Sequence, residues 1–490
     1  MISRKKMLNF ENSFHDQFSC DFYQKIEPKN FPKADLVHFN ANLAHELNLL
    51  KKDLKKSQIP LIYKEFFSGQ KIHETSIPIA LAYAGHQFGN FVPQLGDGRA
   101  VLLGEIVHNS QRFDIQLKGS GPTKFSRRGD GLMTLGSAIR ELIIGEALHY
   151  LQIPTTRILT LCITNEPVYR EETNMGAVIS RVAKSHIRVG TFEYFASKGN
   201  KQAIQQLCDY VINRHFPQEN SSTKSITKLF KDIVFAQANL LAKLQANGFI
   251  HGVMNSDNMA ISGQAIDFGP CAFLDEYDAK KVFSAIDRNG RYAYENQAKI
   301  AHWNLWILAN CLSLIHQNSQ ELLKILNLFE EKFEENYHKI MAKKLGFAKQ
   351  IPQKLIADFL EILQQKNCDY HQSFFNLSDD LLSQKPLVIK GEEYHKWFLS
   401  WNNLLRQEYD FSDKNILSKI AKKMREFNPY IIAQNHIVQE VIDAGNNLDF
   451  QPLENFLKVL KKPFHYDEKN IFYHTPPSEE QKVLQTFCGT

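Results

Sequence analysis

Three groups of residues have types and spacings suited to chemistry. Gly96-Asp-Gly-Arg99 is a tight glycine turn that ends in a cation. Such turns let backbone amides approach a phosphate closely. Lys118 closes the next apolar run, and Glu141 lies in the helical stretch beyond it. A strand lysine held by a helix glutamate can position nucleotide phosphates. The third group is His251-Gly-Val-Met-Asn-Ser-Asp-Asn258, followed by Ile266-Asp-Phe-Gly269. A divalent cation on a triphosphate needs hard oxygen ligands, and Asn258 and Asp267 supply them. Each group alone has a plainer reading: a common turn, a surface ion pair of small worth, a short tripeptide. Their order and separation together point to a nucleotide site.

The elements that must hold these residues follow from periodicity. Ala100–Val107 and Phe113–Lys118 are short apolar or alternating runs around the polar turn 108–112, and Arg157–Thr164 and Gly176–Ala183 form a second such pair. Between the pairs, Leu135, Ala138, Ile139, Leu142, Ile143 and Ala147 recur at helical spacing, with Thr134 as N-cap. The order strand, strand, helix, strand, strand predicts a small twisted sheet with one helix against it. A further helix is expected over Ser225–Asn247, leading into Phe249–Val253. The runs Met259–Ser262 and Gln264–Asp267 around Gly263 predict a hairpin with acidic residues at both ends. Beyond Asp278 the rhythm is helical, including Gln297–His316 and Glu321–Lys344.

Composition sets the frame. The chain has 490 residues, 43% hydrophobic and 23% charged, which is globular and excludes disorder, collagen and coiled coil for the bulk of it. A net charge of +5 over this length is too mild to imply nucleic acid. No run reaches the ~18 apolar residues of a membrane helix. The basic start, Met1–Met7, has no apolar segment behind it and does not read as a secretory signal. The seven cysteines (20, 162, 208, 271, 311, 368 and 488) form no CxxC pair, so a reducing, cytoplasmic setting is expected. Eleven of the 24 glycines fall between Gly85 and Gly145, marking turns or close backbone approach to a ligand.

Set beside the protein-kinase string HRDxxxxN, His251 matches the His and Asn258 the metal-binding Asn, but Val253 falls where the catalytic Asp belongs. Valine cannot accept a proton. Either the chain binds a nucleotide without catalysis, or Asp257, one residue before Asn258, does the work in another geometry.

The strings YAGHQFGNFVPQLGDGRA (83–100), QLKGSGPTKFSRRGDG (116–131), the segment 176–192 and HGVMNSDNMAISGQAIDFGP (251–270) resemble the selenoprotein O (SelO) family. The likeness runs from about residue 25 to the C-terminus and includes NPYIIAQNH (428–436). It implies an α+β, protein-kinase-like bilobal fold. A mixed α/β N-terminal lobe would span 1–195, and a mainly α C-terminal lobe with helical elaborations 196–490. It also implies an inverted ATP and transfer of AMP, not phosphate, to protein hydroxyls.

Carried over by position, the resemblance places Gly96, Gly98, Arg99, Lys118, Asp130, Gly131, Arg181, Arg188 and Asp267 at ATP, with Glu141 paired to Lys118. It makes Asp257 the proton acceptor and gives Asn258 and Asp267 the metal, Mg²⁺ or Mn²⁺. Arg181 and Arg188 would otherwise read as a solvated basic face; at a triphosphate they offer bidentate contacts. Eukaryotic members of this family carry selenocysteine at the site matching Cys488. A regulatory disulfide between Cys488 and Cys271 is therefore one expectation, and a small core residue with a tail thiol the other.

The expected function is a protein adenylyltransferase acting on Ser, Thr or Tyr and releasing diphosphate. Its partners are ATP and protein substrates, without nucleic acid or membrane, and the chain is expected to be a monomer. The alternatives are an ATP-binding pseudokinase scaffold, an ordinary kinase, or a uridylyltransferase using UTP with Mn²⁺.

Overall fold

The computed structural model describes residues 8–50, 59–217, 225–349 and 351–486. The basic start 1–7 and Cys488 lie outside these described residues.

The strands are β1 (Tyr23–Lys25), β2 (Asp35–Phe39), β3 (Ile79–Leu81), β4 (Gly85–Gln87), β5 (Asn90–Val92) and β6 (Ala100–His108). They continue with β7 (Gln111–Lys118), β8 (Met133–Thr134), β9 (Arg157–Tyr169), β10 (Thr173–Ala183), β11 (Phe249–Ile250) and β12 (Ala272–Phe273). One antiparallel sheet runs β1-β3-β6-β7-β10-β9-β2, with β8 on β10. It contains the four expected strands and extends beyond them. The added strands β1, β2, β3 and β8 have two to five residues, too few to show a period. The β6–β7 hairpin closes through Asn109 and Ser110, both at positive φ (49° and 61°), the two-residue turn that matches strand twist.

Helices in the N-terminal part are α1 (Ser13–Gln17), α2 (Ala41–Glu46), α3 (Leu61–Phe67) and α4 (Leu135–Tyr150). The Thr134 hydroxyl caps α4 by accepting from Ser137 N, as the sequence predicts. The sheet is covered on both faces. Ile115, Leu117, Leu159 and Val178 pack with Leu43, Tyr63 and Phe67 from α2 and α3. Leu102, Leu161 and Ile179 join the core that holds Leu135, Ile139 and Leu142 of α4. Strand alternation thereby sends Gln116 and Lys118 to the α4 side.

From residue 189 the chain is mainly helical: α5 (Val189–Ala196), α6 (Lys201–His215), α7 (Ile226–Ala246), α8 (Gln297–Ser313), α9 (Ser319–Lys344) and α10 (Gln353–Gln365). Then come α11 (Tyr370–Ser383), α12 (Glu392–Glu408), α13 (Ile416–Arg425), α14 (Asn435–Asn446), α15 (Gln451–Leu460) and α16 (Ile471–His474). The architecture is therefore α+β, a sheet region followed by a helical one. Helices α10 to α13 build their own core around Phe359, Tyr394, Trp397 and Trp401. Helices α14 and α15 instead return to α4: Arg140 Nη1 donates to Asn435 Oδ1 at 2.8 Å, and Ile442 packs where Gly136 leaves room. No helix among the described residues is long and apolar enough to cross a membrane.

The expected hairpin over 259–267 does not form. The turn at Gly263 is present, with its N–H on Ala260 O, but the flanks bond outward. Ala260 bridges Arg188 and Ala265 bridges Thr155. Ile261 N donates to Ile187 O, and Ala265 N to Pro154 O. Neighbouring segments on both sides satisfy the backbone, so the two runs have no need of each other.

Candidate functional site

The two glycine turns are folded onto one another. Gly96 has φ 71°, and a side chain there would strike the Phe125 ring. Thr123 Oγ1 donates to Asp97 O at 2.8 Å, and Ser126 Oγ donates to Gly98 O. Asp97 faces inward, accepting from Leu81 N (3.1 Å) and Gln116 Nε2 (2.9 Å), and burial pushes its carboxyl up to about 6. Asp130 accepts from both ends of the Arg170 guanidinium at 2.8 and 3.0 Å, which holds its carboxyl low. Gly131 has φ 69° and sits against the Gly121 backbone, where no side chain fits.

At the centre stands Asp267, itself at φ 66°, a conformation that costs a non-glycine residue energy. Its Oδ1 accepts from Lys118 Nζ at 2.8 Å and Arg181 Nη1 at 2.6 Å, and its Oδ2 from Arg188 Nη1 at 2.7 Å. Lys118 also pairs with Glu141 on α4. Burial alone would raise the Asp267 carboxyl, but these three cations hold it well below the usual range. Arg181 extends to Gln116 Oε1 at 2.5 Å. Arg188 donates to Asp257 O at 2.6 Å and lies 4.7 Å over the Tyr83 ring.

Asp257 sits in a short 3₁₀ turn, Ser256–Asn258, with 6% of its surface exposed. Gln87 Nε2 donates to its Oδ2 at 3.3 Å, while its Oδ1 has no hydrogen-bond partner among the described residues. Burial pushes the carboxyl up to about 6 against the pull of Arg188, close to the range a general base needs at neutral pH. His251 Nε2 donates to Ile266 O at 2.8 Å, tying this loop to the strand-like stretch before Asp267.

The donor set suits a divalent cation. Asn258 spends its amide N–H on Val253 O at 3.0 Å, which leaves its carbonyl oxygen for a ligand. Asp267 supplies a carboxylate kept ionised. No group of three His, Cys, Asp or Glu residues able to hold a metal occurs among the described residues. Two hard oxygens completed by phosphate and water are how Mg²⁺ is usually held at nucleotides.

All twelve described cleft residues named from the sequence line one cavity of about 1430 Å³: Gly96, Gly98, Arg99, Lys118, Asp130, Gly131, Glu141, Arg181, Arg188, Asp257, Asn258 and Asp267. Arg99 Nη1 and the Nε atoms of Arg181 and Arg188 are buried there without partners. Buried donors left open in this way mark a place for an anion. Cys271 is fully buried and does not line the cavity. The tail does reach it: Thr486 N donates to Phe283 O at 2.8 Å, and Gln485 and Thr486 lie on the wall. Sequence reasoning missed Asp97, Gln116 and Gln87. Asp97 lay inside a quoted motif, and the same-face alternation of Gln116 with Lys118 could have found the second. Gln87 also lay inside a quoted string, but nothing in its type or spacing points to Asp257.

Residues 5–461 match the family described as "Protein adenylyltransferase SelO". The chain is 42% identical over 492 residues to a Bacillus mycoides protein named protein nucleotidyltransferase YdiU, covering 98% of each chain. Relatives of the same name from Bacillus thuringiensis and Bacillus cereus are 42% and 43% identical, again over 98% of both chains. The chain belongs to the SelO family of protein adenylyltransferases.

Proposed function

We propose that this chain transfers AMP from ATP to the side-chain hydroxyl of a Ser, Thr or Tyr on a protein. The single observation that carries the reading is the pairing of two features in one cavity. Three cations converge on Asp267, and Asp257 presents a buried carboxylate with an uncommitted oxygen. A pocket built only to hold ATP has no use for the second.

Lys118, Arg181 and Arg188 bind and orient the triphosphate, exchanging part of their hold on Asp267 for phosphate oxygens. Glu141 keeps Lys118 extended from its strand. The glycine turns admit the nucleotide backbone-close, with Asp130 and Gly131 on the same wall. A divalent ion, Mg²⁺ or Mn²⁺, held by Asn258 and Asp267, would supply neutralisation of phosphate charge. The substrate oxygen attacks the α-phosphorus in line, the bond to the β-phosphate oxygen breaks, and diphosphate leaves. Asp257 takes the hydroxyl proton. Attack at the α-phosphorus, not the γ, requires the inverted nucleotide of a kinase-like bilobal site. Its lobes would divide near residue 195.

The same reading makes the chain a cytoplasmic monomer. Its Cys271 and Cys488 would form a redox pair that pins the tail beside the cavity.

ATP labelled at the α- or γ-phosphate, incubated with mixed protein and Mg²⁺ or Mn²⁺, tests the reading. Protein-bound α label supports it, and γ label alone would indicate a kinase. ATP binding without either label would indicate a scaffold, the reading that Val253 favours. Labelled UTP checks for uridylyl transfer.

A further inference from the structure

The short hairpin β4–β5 is docked on the loop that carries Asp257 more tightly than a surface hairpin needs. Its turn residues Phe88 and Gly89 are both at positive φ (51° and 84°), a two-residue turn that fixes register. His86 N donates to Ser256 Oγ at 2.8 Å, and Phe88 N donates to Asn255 Oδ1 and Tyr292 Oη at 3.2 Å each. The residues on either side of Gln87 are thus bonded to the two residues before Asp257. Strand alternation then divides the side chains. His86 turns to Glu193 on α5, 2.5 Å from its Oε2, and Gln87 turns to Asp257 Oδ2 at 3.3 Å. On the other side of the carboxylate, Gly85 approaches so closely that a methyl group there would stand 2.6 Å from Oδ1.

We propose that Gln87 is a positioning residue for the transfer reaction, holding the Asp257 carboxylate in the orientation that receives the substrate hydroxyl. A competing partner for the carboxylate stands beside it. Arg188 already donates to the backbone carbonyl of Asp257 and has a buried Nε without a partner. A carboxylate released by Gln87 would turn toward that guanidinium and form an ion pair there. It would then be both misplaced and a weaker acceptor for the proton. Gln87 itself lines the cavity beside Asp257. A glutamine serves this purpose better than a lysine or arginine would. Its neutral N–H anchors the carboxylate without neutralising it.

This inference rests on the AMP-transfer reading. Gln87→Met and Gln87→Lys are compared with wild type, since both replacements keep a linear side chain of similar volume but only lysine keeps an N–H donor. With α-labelled ATP and a protein acceptor, Gln87→Met should lower kcat roughly ten- to hundredfold, the worth of one hydrogen bond to a charged group. The affinity for ATP should stay within about twofold, because among the described residues the Gln87 side chain hydrogen-bonds to Asp257 and to none of Lys118, Arg181 and Arg188. Gln87→Lys restores an N–H donor but adds a charge, so it should recover kcat only in part, to at least about threefold above Gln87→Met. Equal losses in both variants, an undiminished Gln87→Met, or a loss confined to ATP affinity would each overturn the proposal. Gln87→Ala, read the same way, replaces Gln87→Met if that variant unfolds. Wild type that incorporates no α label refutes the AMP-transfer reading, a result separate from any difference among the variants.

Discussion

Arg188 stands 2.7 Å from Asp267, Nη1 against Oδ2, and it is one of three cations that a single carboxylate keeps together. Asp267 thereby balances the three cations that the AMP-transfer reading assigns to the triphosphate. Asp267→Ala should abolish AMP transfer and lower the thermal midpoint, because Lys118, Arg181 and Arg188 lose their shared counter-ion. The same variant should gain more thermal stability from added diphosphate, without divalent metal, than wild type gains. An equal shift in the two proteins would contradict the counter-ion role.

Gly85 gives a second test. A methyl group there would meet Oδ1, Cβ and Cγ of Asp257 at 2.6 to 3.0 Å, and that side chain is enclosed. Gly85→Ala should cost about 1–3 kcal/mol of stability, as overpacking does. It should also reduce transfer by roughly tenfold or more while ATP binding persists. Calorimetric ATP titration beside a rate assay separates the two effects.

Acid should act through a buried cluster away from the proposed metal. Burial pushes the imidazoles of His186 and His215 down to about 4 and about 3. The unfolded chain takes up those protons near pH 6.5, the folded chain only well below it, so the contribution of these two histidines to stability must fall as pH drops from about 6.5 toward 4. Asp114 adds a later loss. Burial opposes its ionisation, but Arg214 at 2.5 Å and His186 hold it down to about 2, so its share disappears between about pH 4 and 2. Asp97 and Asp257, raised to about 6, act in the opposite sense over the histidine range, so the histidine effect is read as a difference: in urea unfolding, wild type should lose stability relative to His215→Gln as pH drops from about 6.5 toward 4.

Lys344 is the reverse case. It is fully buried at the end of α9, and its Nζ has no hydrogen-bond partner among the described residues, only the faces of Phe374 and Tyr370. Burial lowers its ammonium to about 7. Between pH 7 and 10.5 the unfolded chain binds a proton that the folded chain does not, so the contribution of Lys344 to wild-type stability should rise with pH there. Lys344→Met should be more stable than wild type at pH 7 and should flatten that rise. A less stable variant would mean that the ammonium has a partner.

Several site residues were legible because chemistry restricts which side chains can do them. Lys118 and Glu141 showed as a strand end and a helix face, and the structure joins them. The hairpin expected at 259–267 failed because alternation reports a half-buried chain, not its partner; Ile187 and Pro154 supplied the hydrogen bonds instead. The sheet's outer strands were too short to show a period. Gln87 was illegible for another reason. Its meaning depends on Asp257, 170 residues away, and nothing in its own neighbourhood records that contact.

The return of α14 to α4 has a consequence for how the protein is made. Asn435 leaves the ribosome 295 residues after Arg140, a delay of roughly 15–60 s at ordinary elongation rates. Throughout that interval the outer face of α4, including Gly136 and Ile139, waits uncovered for Ile442 and Gly445. The helix that carries Glu141 gains this support only after residue 445 has been made. A partly synthesised chain therefore holds Lys118, Arg181 and Arg188 before it holds the finished wall behind them.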